Sequence, residues 1–243
     1  MQVNIFPNEE ALIFALANYI VESASQSIAK NKKFSLVLSG GNSPKKLYGL
    51  LASDPFRNKI QWEYVYFFFG DERYVPSTDP ESNYGMVKTV FFDPLHIHPS
   101  HIFPVDTNLN TQAAAQQYAE QIGNYFAGEN WRFDLVLLGL GDNAHTASLF
   151  PSTQVLLDTI PSVSSVFLKD KSVFRITMNV PLLNQAHYIV FLVYGESKAE
   201  AVHHVLEDAY NADYFPAQLI APQHGELTWF LDAEAASKLR KSN

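Results

Sequence analysis

FDLVLLGLGDNAHTASLFP, residues Phe133 to Pro151, begins as a nearly unbroken apolar run and ends in a polar loop carrying one histidine. Leu135 to Leu138 has the pattern of a strand buried on both faces. Gly139, Gly141 and the pair Asp142-Asn143 then turn the chain before His145. Ligands of open α/β sheets bind just beyond the carboxyl ends of the strands, so this loop is expected at a ligand-binding edge. A histidine there takes and gives protons near neutral pH.

Outward from that stretch, strand-like and helix-like segments alternate along the whole chain. Val3 to Phe6 reads as a short strand, and Asn8 to Lys30 as a helix with Ala11, Leu12, Ala15, Leu16, Tyr19 and Ile20 on one face. Phe34 to Leu38 is a buried strand ended by Ser39-Gly40-Gly41-Asn42-Ser43-Pro44. Pro44 suits a helix's first turn, with Asn42 or Ser43 as its cap and the helix continuing to Leu51. Tyr64 to Phe69, rich in aromatic and β-branched residues, is the next strand. Helices are predicted at Ser82 to Phe92, Thr111 to Phe126 and Lys198 to Leu206, and from Asp232 to the end. Val163 to Leu168 and Phe174 to Met178 read as a hairpin, and Tyr188 to Val193 and Glu226 to Leu231 as further strands. No repeat or linker divides residues 1–243, so one α/β domain is expected: a three-layer sandwich with helices on both faces of a mostly parallel sheet.

The bulk numbers narrow the classes of function. The 243 residues are 47% hydrophobic and 17% charged, with no cysteine and a formal charge of −8. That size and apolar content support a large core. The negative charge argues against nucleic acid and acidic membrane surfaces as partners. The apolar runs are too short to span a bilayer, no stretch reads as a signal peptide, and thiolate metal sites and disulfides are excluded. A soluble cytoplasmic protein is expected.

Three buried strands end in glycine and polar groups: Ser39-Gly40-Gly41, Gly70-Asp71-Glu72-Arg73, and Gly139 through His145. A fourth ends in Tyr194-Gly195-Glu196-Ser197-Lys198. Glycine serves tight strand-to-helix turns in any case, but four such ends, each with different chemistry, converge on one edge of a parallel sheet. The loop from Ser39 to Pro44 offers backbone N–H groups at a helix start, which suits a phosphate. It lacks the Gly-Lys-Ser/Thr ending of a nucleoside triphosphatase loop. Arg73 and Lys198 are candidate oxyanion partners. Gly139-Leu-Gly141-Asp-Asn-Ala144 also fits the dinucleotide fingerprint, but Pro151 arrives too soon for the helix that fingerprint needs. His96, His98 and His101 fall in a proline-bounded loop without a carboxylate to complete a zinc set. His203 and His204, adjacent on a helix, are expected to point to different faces.

Taken together, LSGGNSP (Leu38 to Pro44), GDERYVP (Gly70 to Pro76) with Ser82-Asn83, and LGLGDNAHTASLFP (Leu138 to Pro151) resemble the 6-phosphogluconolactonase family. Arg175-Ile176-Thr177, Gly195 through Ala199, and Leu227 through Asp232 continue the match in order. The resemblance implies the Rossmann-like fold shared with glucosamine-6-phosphate deaminases and ribose-phosphate isomerases. It also implies hydrolysis of 6-phosphogluconolactone to 6-phosphogluconate in the pentose phosphate pathway, with no cofactor. No metal is expected, and the expected assembly is a monomer or small homo-oligomer. Two positions depart from the family: Asn143-Ala144 replaces its usual Asp-Gly before the histidine, and Gln218 stands where arginine is common.

In that reading His145 is the general base, with Arg73 or backbone N–H groups at the developing oxyanion and Asp71 either orienting Arg73 or contacting sugar hydroxyls. A helical turn starting at His145 would favour its neutral form. The phosphosugar lactone would be held by Ser39, Gly40, Gly41 and Ser43 with Lys198, Arg175 and Asp142. Whether Asp142, Asp71 or no carboxylate orients His145 is left open by residue 143. An amino-sugar-phosphate deaminase is the nearest rival, but that family's glutamate five residues after the histidine is Phe150 here. A non-catalytic sugar-phosphate-binding protein is the other alternative.

Overall fold

The computed structural model describes residues 1–128 and 130–240. Among these, the strands in chain order are β1 (Gln2–Phe6), β2 (Phe34–Leu38), β3 (Val65–Phe69), β4 (Asp71–Arg73), β5 (Leu135–Leu138), β6 (Val163–Leu168), β7 (Val173–Met178), β8 (Tyr188–Val193) and β9 (Glu226–Asp232). The helices are α1 (Glu9–Asn31), α2 (Asn42–Leu51), α3 (Asn83–Val87), α4 (Asp93–Leu95), α5 (Thr111–Tyr125), α6 (Val180–Leu183) and α7 (Ala199–Leu206). Six strands form one sheet in the order β1-β9-β8-β5-β2-β3, parallel throughout, and β4-β7-β6 form a small antiparallel sheet. The fold is the mostly parallel α/β sandwich expected.

The continuous apolar runs exist because the sheet is covered on both faces. Along β5, Leu135 and Leu137 enter one core with Leu36, Leu38, Phe67, Phe69, Val190 and Leu192. Val136 and Leu138 enter the other with Val37, Phe68, Ile189, Phe191 and Trp229. Alternate residues of each strand thus serve opposite cores, and every residue of β2 and β5 is buried. At roughly 1.5–3 kcal/mol for each fully buried large aliphatic or aromatic side chain, a charge placed in either strand would disrupt the fold. Helix α1 starts where Asn8 accepts a hydrogen bond from the Ala11 N–H at 2.9 Å, and it lays Leu12, Leu16 and Ile20 on the sheet.

Besides β4, a strand where the sequence reads only a polar strand end, three elements differ from the sequence reading. The helix expected over Ser82 to Phe92 is capped by Ser82, whose hydroxyl accepts from the Gly85 N–H, but it passes from α3 into a π-helical turn at Lys88–Phe92 before α4. No helix follows Asp232 among the described residues: the Asp232 carboxylate accepts from the Ala235 N–H and from the Gly195 N–H, which fastens the segment as turns. The rest of that expectation, residues 241–243, lies outside the described residues. Helix α2 begins at Asn42 after Gly41, not after a side-chain cap from Asn42 or Ser43.

Chain order reverses between β2 and β5. From β2 the chain moves outward to β3, then returns to the other side of β2 and proceeds through β5 to β8. The carboxyl ends of these two strands therefore part at a switch point, where an open sheet forms its crevice. The small sheet stands over that same edge, held by the Met178 N–H donating to the Gly70 carbonyl at 2.8 Å. No described helix is long and apolar enough to cross a membrane.

Candidate active site

The crevice at the switch point is a cleft of about 460 Å³. On the β2 side its wall is the loop before α2. Gly41 has φ +93°, a conformation L side chains rarely adopt, and it leaves α2 with neither a side-chain cap nor an acidic residue in its first turn. Those unclaimed N–H groups, at the positive end of a ten-residue helix, suit an anion. Ser39 is less free: its backbone N–H donates to the Tyr48 hydroxyl, which donates back to the Ser39 carbonyl. The part of the loop left free to meet an anion is thus the start of α2.

The β5 side supplies His145. The loop is tight: the Gly141 N–H donates to the His145 carbonyl at 2.8 Å, and a Cβ on Gly141 would lie 2.0 Å from His145 Cε1 and Nδ1. Phe150 stacks on the imidazole with centroids 3.9 Å apart. Asn143 Oδ1 hydrogen-bonds His145 Nδ1. Burial first, then the cations Lys171 and Lys198, lower the imidazole pKa to about 4, against the opposing pull of Asp142. The expected helical turn at His145 does not form. The His145 carbonyl accepts from the Gly141 N–H in a loop bridged at Thr146 and Leu149, so desolvation and cations, rather than a helix terminus, keep the ring neutral.

The small sheet builds the facing wall. Arg73 of β4 pairs in register with Arg175 of β7, and both enter the cleft. Arg73 is steadied by donating from Nη1 to the Glu81 carbonyl at 2.8 Å. Asp71, 9% exposed, accepts from the Ser148 hydroxyl at 2.7 Å and, more weakly, from Asn83 Nδ2. Burial raises its pKa, while Ser148, Arg73 and Arg175 hold the rise in check. The observed partners of Asp71 are therefore Ser148 and Asn83, which tie the β3 end to the histidine loop; its remaining exposure is to the cleft. Glu72 is turned inward, where it accepts from the N–H groups of Arg73, Asn83 and Tyr84.

The structure thus brings together Ser39, Gly40, Gly41, Ser43, Asp71, Arg73, His145, Arg175 and Lys198. Asp142 is the exception: it lies outside the lining, exposed, and accepts from Lys198 Nζ at 2.5 Å. Of the three options for orienting the imidazole, the acceptor found is an amide, and among the described residues no carboxylate hydrogen-bonds it. Sequence reasoning missed Lys171, which enters the cleft from the β6–β7 turn, and Ser148. The small polar residue two before Phe150 was the available signal for Ser148; a turn lysine gives none. Gln218 lies away from the cleft, donating to the His204 carbonyl and accepting from the Asn211 N–H. His203 and His204 do not diverge: both reach Asp208, whose position past the helix end lies between them. Among the described residues no cluster of His, Asp or Glu is arranged to hold a metal ion.

Residues 7–229 match the family model described as glucosamine-6-phosphate isomerases/6-phosphogluconolactonase. A 6-phosphogluconolactonase of Synechocystis is 38% identical over 98% of both chains, and one of Nostoc 37% identical over 98% of both. The solved structure of 6-phosphogluconolactonase from Trypanosoma brucei superposes with a TM-score of 0.84 at 30% identity, covering 98% of each chain. With its sheet order, its cleft at the β2/β5 switch point and these matches, the chain belongs to the glucosamine-6-phosphate isomerase/6-phosphogluconolactonase family.

Proposed function

We propose that this protein hydrolyses 6-phospho-D-glucono-1,5-lactone to 6-phospho-D-gluconate, the lactone-opening step of the oxidative pentose phosphate pathway. The observation that carries the reading is a neutral, positioned imidazole facing four cationic side chains and an uncapped helix start across one cleft. That arrangement suits an anionic ester activated enough to need only a base and water.

A water molecule attacks the lactone C1 carbonyl while His145 Nε2 takes its proton, forming a tetrahedral oxyanion and an imidazolium. Arg73 stabilises the oxyanion. Collapse breaks the bond from C1 to the ring oxygen, and the imidazolium returns its proton to that oxygen. The phosphate sits at the start of α2 with Lys198, and Arg175 lies within the same lining. Because burial and the lysines hold the free imidazole near 4, it is neutral at pH 7 and available as a base, at some cost in driving force. A bound phosphate dianion opposes Lys171 and Lys198 and restores part of that basicity.

The deaminase alternative lacks support in the site, since the position five residues after the histidine presents the Phe150 ring, stacked on the imidazole. The test is proton release from lactone generated in situ, measured above the spontaneous rate. Excess release is expected, with kcat holding its plateau below pH 6.5 because burial keeps His145 deprotonated there. Tight binding of 6-phosphogluconate with no excess release would make the protein a sugar-phosphate binder and sink the proposal.

A further inference from the structure

The imidazole of His145 is held on three sides. Phe150 covers one face, the backbone of Gly141 abuts the Nδ1–Cε1 edge, and Asn143 Oδ1 meets Nδ1. Among the described residues no hydrogen bond reaches Nε2, which leaves it as the nitrogen available to the cleft. A side-chain amide oxygen only accepts, so the nitrogen it meets must carry the proton. The loop is also pinned from behind, where the Ala217 N–H donates to the carbonyl of Ala144, a residue at φ +57°.

We propose that Asn143 is the positioning residue of the base: its Oδ1 accepts the Nδ1–H of His145, fixing the tautomer whose lone pair, at Nε2, faces the substrate. The inference rests on His145 being the base. It adds that the acceptor is deliberately uncharged in effect. A carboxylate at that distance would stabilise the imidazolium, whereas an amide orients the ring and leaves the proton loosely held. The charged groups facing the ring are Lys171 from the β6–β7 turn, Lys198 after β8 and Arg73 on β4, with Asp142 on its own loop already engaged by Lys198. Among them Asn143 supplies direction without adding charge. The site thereby runs as a low-pKa base that returns its proton readily to the leaving ring oxygen.

Asn143 is exposed, so its variants should fold, and thermal melting checks that they do. The decisive measurement is the nitrogen-15 chemical shifts of His145 in the full-length protein without substrate, assigned by the loss of one histidine signal in His145→Ala. In the wild type Nδ1 should be protonated across neutral pH. Asn143→Asp should keep that tautomer and move the imidazole titration up by about 1–3 units. Asn143→Ala should mix the tautomers and lower kcat by about 10–100-fold, with KM for the lactone little changed. Asn143→Asp should recover most of the lost kcat above its new midpoint. A wild-type proton on Nε2, or Asn143→Ala with unaltered tautomer and kcat, overturns the proposal. The spectra need no turnover: if they come out as expected while the wild type opens no lactone, the proposed reaction is wrong and the role of Asn143 in setting the imidazole stands.

Discussion

The two walls of the cleft are built by different means. The wall formed by the parallel sheet presents the uncapped start of α2 and His145, both fixed by strands whose every residue is buried. Little in it is charged. The facing wall, from the small antiparallel sheet, carries Asp71, Arg73 and Arg175, with Lys171 on the hairpin turn. With His145 as the proposed base, chemistry that tolerates little displacement would sit on the deeply packed sheet, and charge that acts over several ångströms on the hairpin. The difference matches what each needs: proton transfer depends on hydrogen-bond reach, while Coulomb attraction falls off slowly.

If the division of labour is right, substitutions on the two sides fail in different ways. His145→Ala removes the base from the parallel-sheet wall and should lower kcat by about 10²–10⁴-fold, while 6-phosphogluconate still binds. Near-normal kcat would take His145 out of the mechanism. Lys198→Ala, at the margin of the same wall, should raise KM by about tenfold with kcat largely kept, as expected for an interaction equal in ground and transition states. It also frees Asp142, so Asp142→Asn is the control. An unchanged KM would place the phosphate elsewhere.

The parallel-sheet wall was largely legible in the sequence. Continuous apolar runs ending in Gly40, Gly70 and Gly139 announce strands buried on both faces, and the loops after them land where such strands must end. The facing wall was legible only in part. Arg73 and Arg175 stand on strands whose pairing brings them together, but Lys171 lies in residues 169–172, a turn with no periodicity and two lysines. Its place in the cleft depends on where the hairpin folds over, a tertiary fact. Asp142 misled for the opposite reason: adjacency to the motif suggested contact, whereas a one-residue step in a tight loop turned its side chain outward to Lys198. The partner of His145 was missed because a carboxylate was sought at a place where the chain uses an amide.

The smallest effect should come from the hairpin, with Lys171→Met. The side chain is exposed and makes a single cation–π approach, 5.8 Å from the centre of the Phe150 ring, so stability near pH 7 should hardly change. KM should rise only a few-fold, because an exposed cation interacting through solvent contributes little. The informative readout is pH. Lys171 is the largest cationic contribution holding the His145 pKa down, so its loss should raise the folded value from about 4 toward the ordinary 6.5. Between those values the unfolded imidazole binds more protons than the folded one, and wild-type stability rises with pH. In Lys171→Met that rise should start at a higher pH and be smaller. The acid limb of kcat/KM should move upward in step, read as the variant-to-wild-type ratio so that the substrate's own phosphate ionisation cancels. A ratio flat across the acid range would show that the hairpin's charge does not reach the base, and the two walls would then act independently.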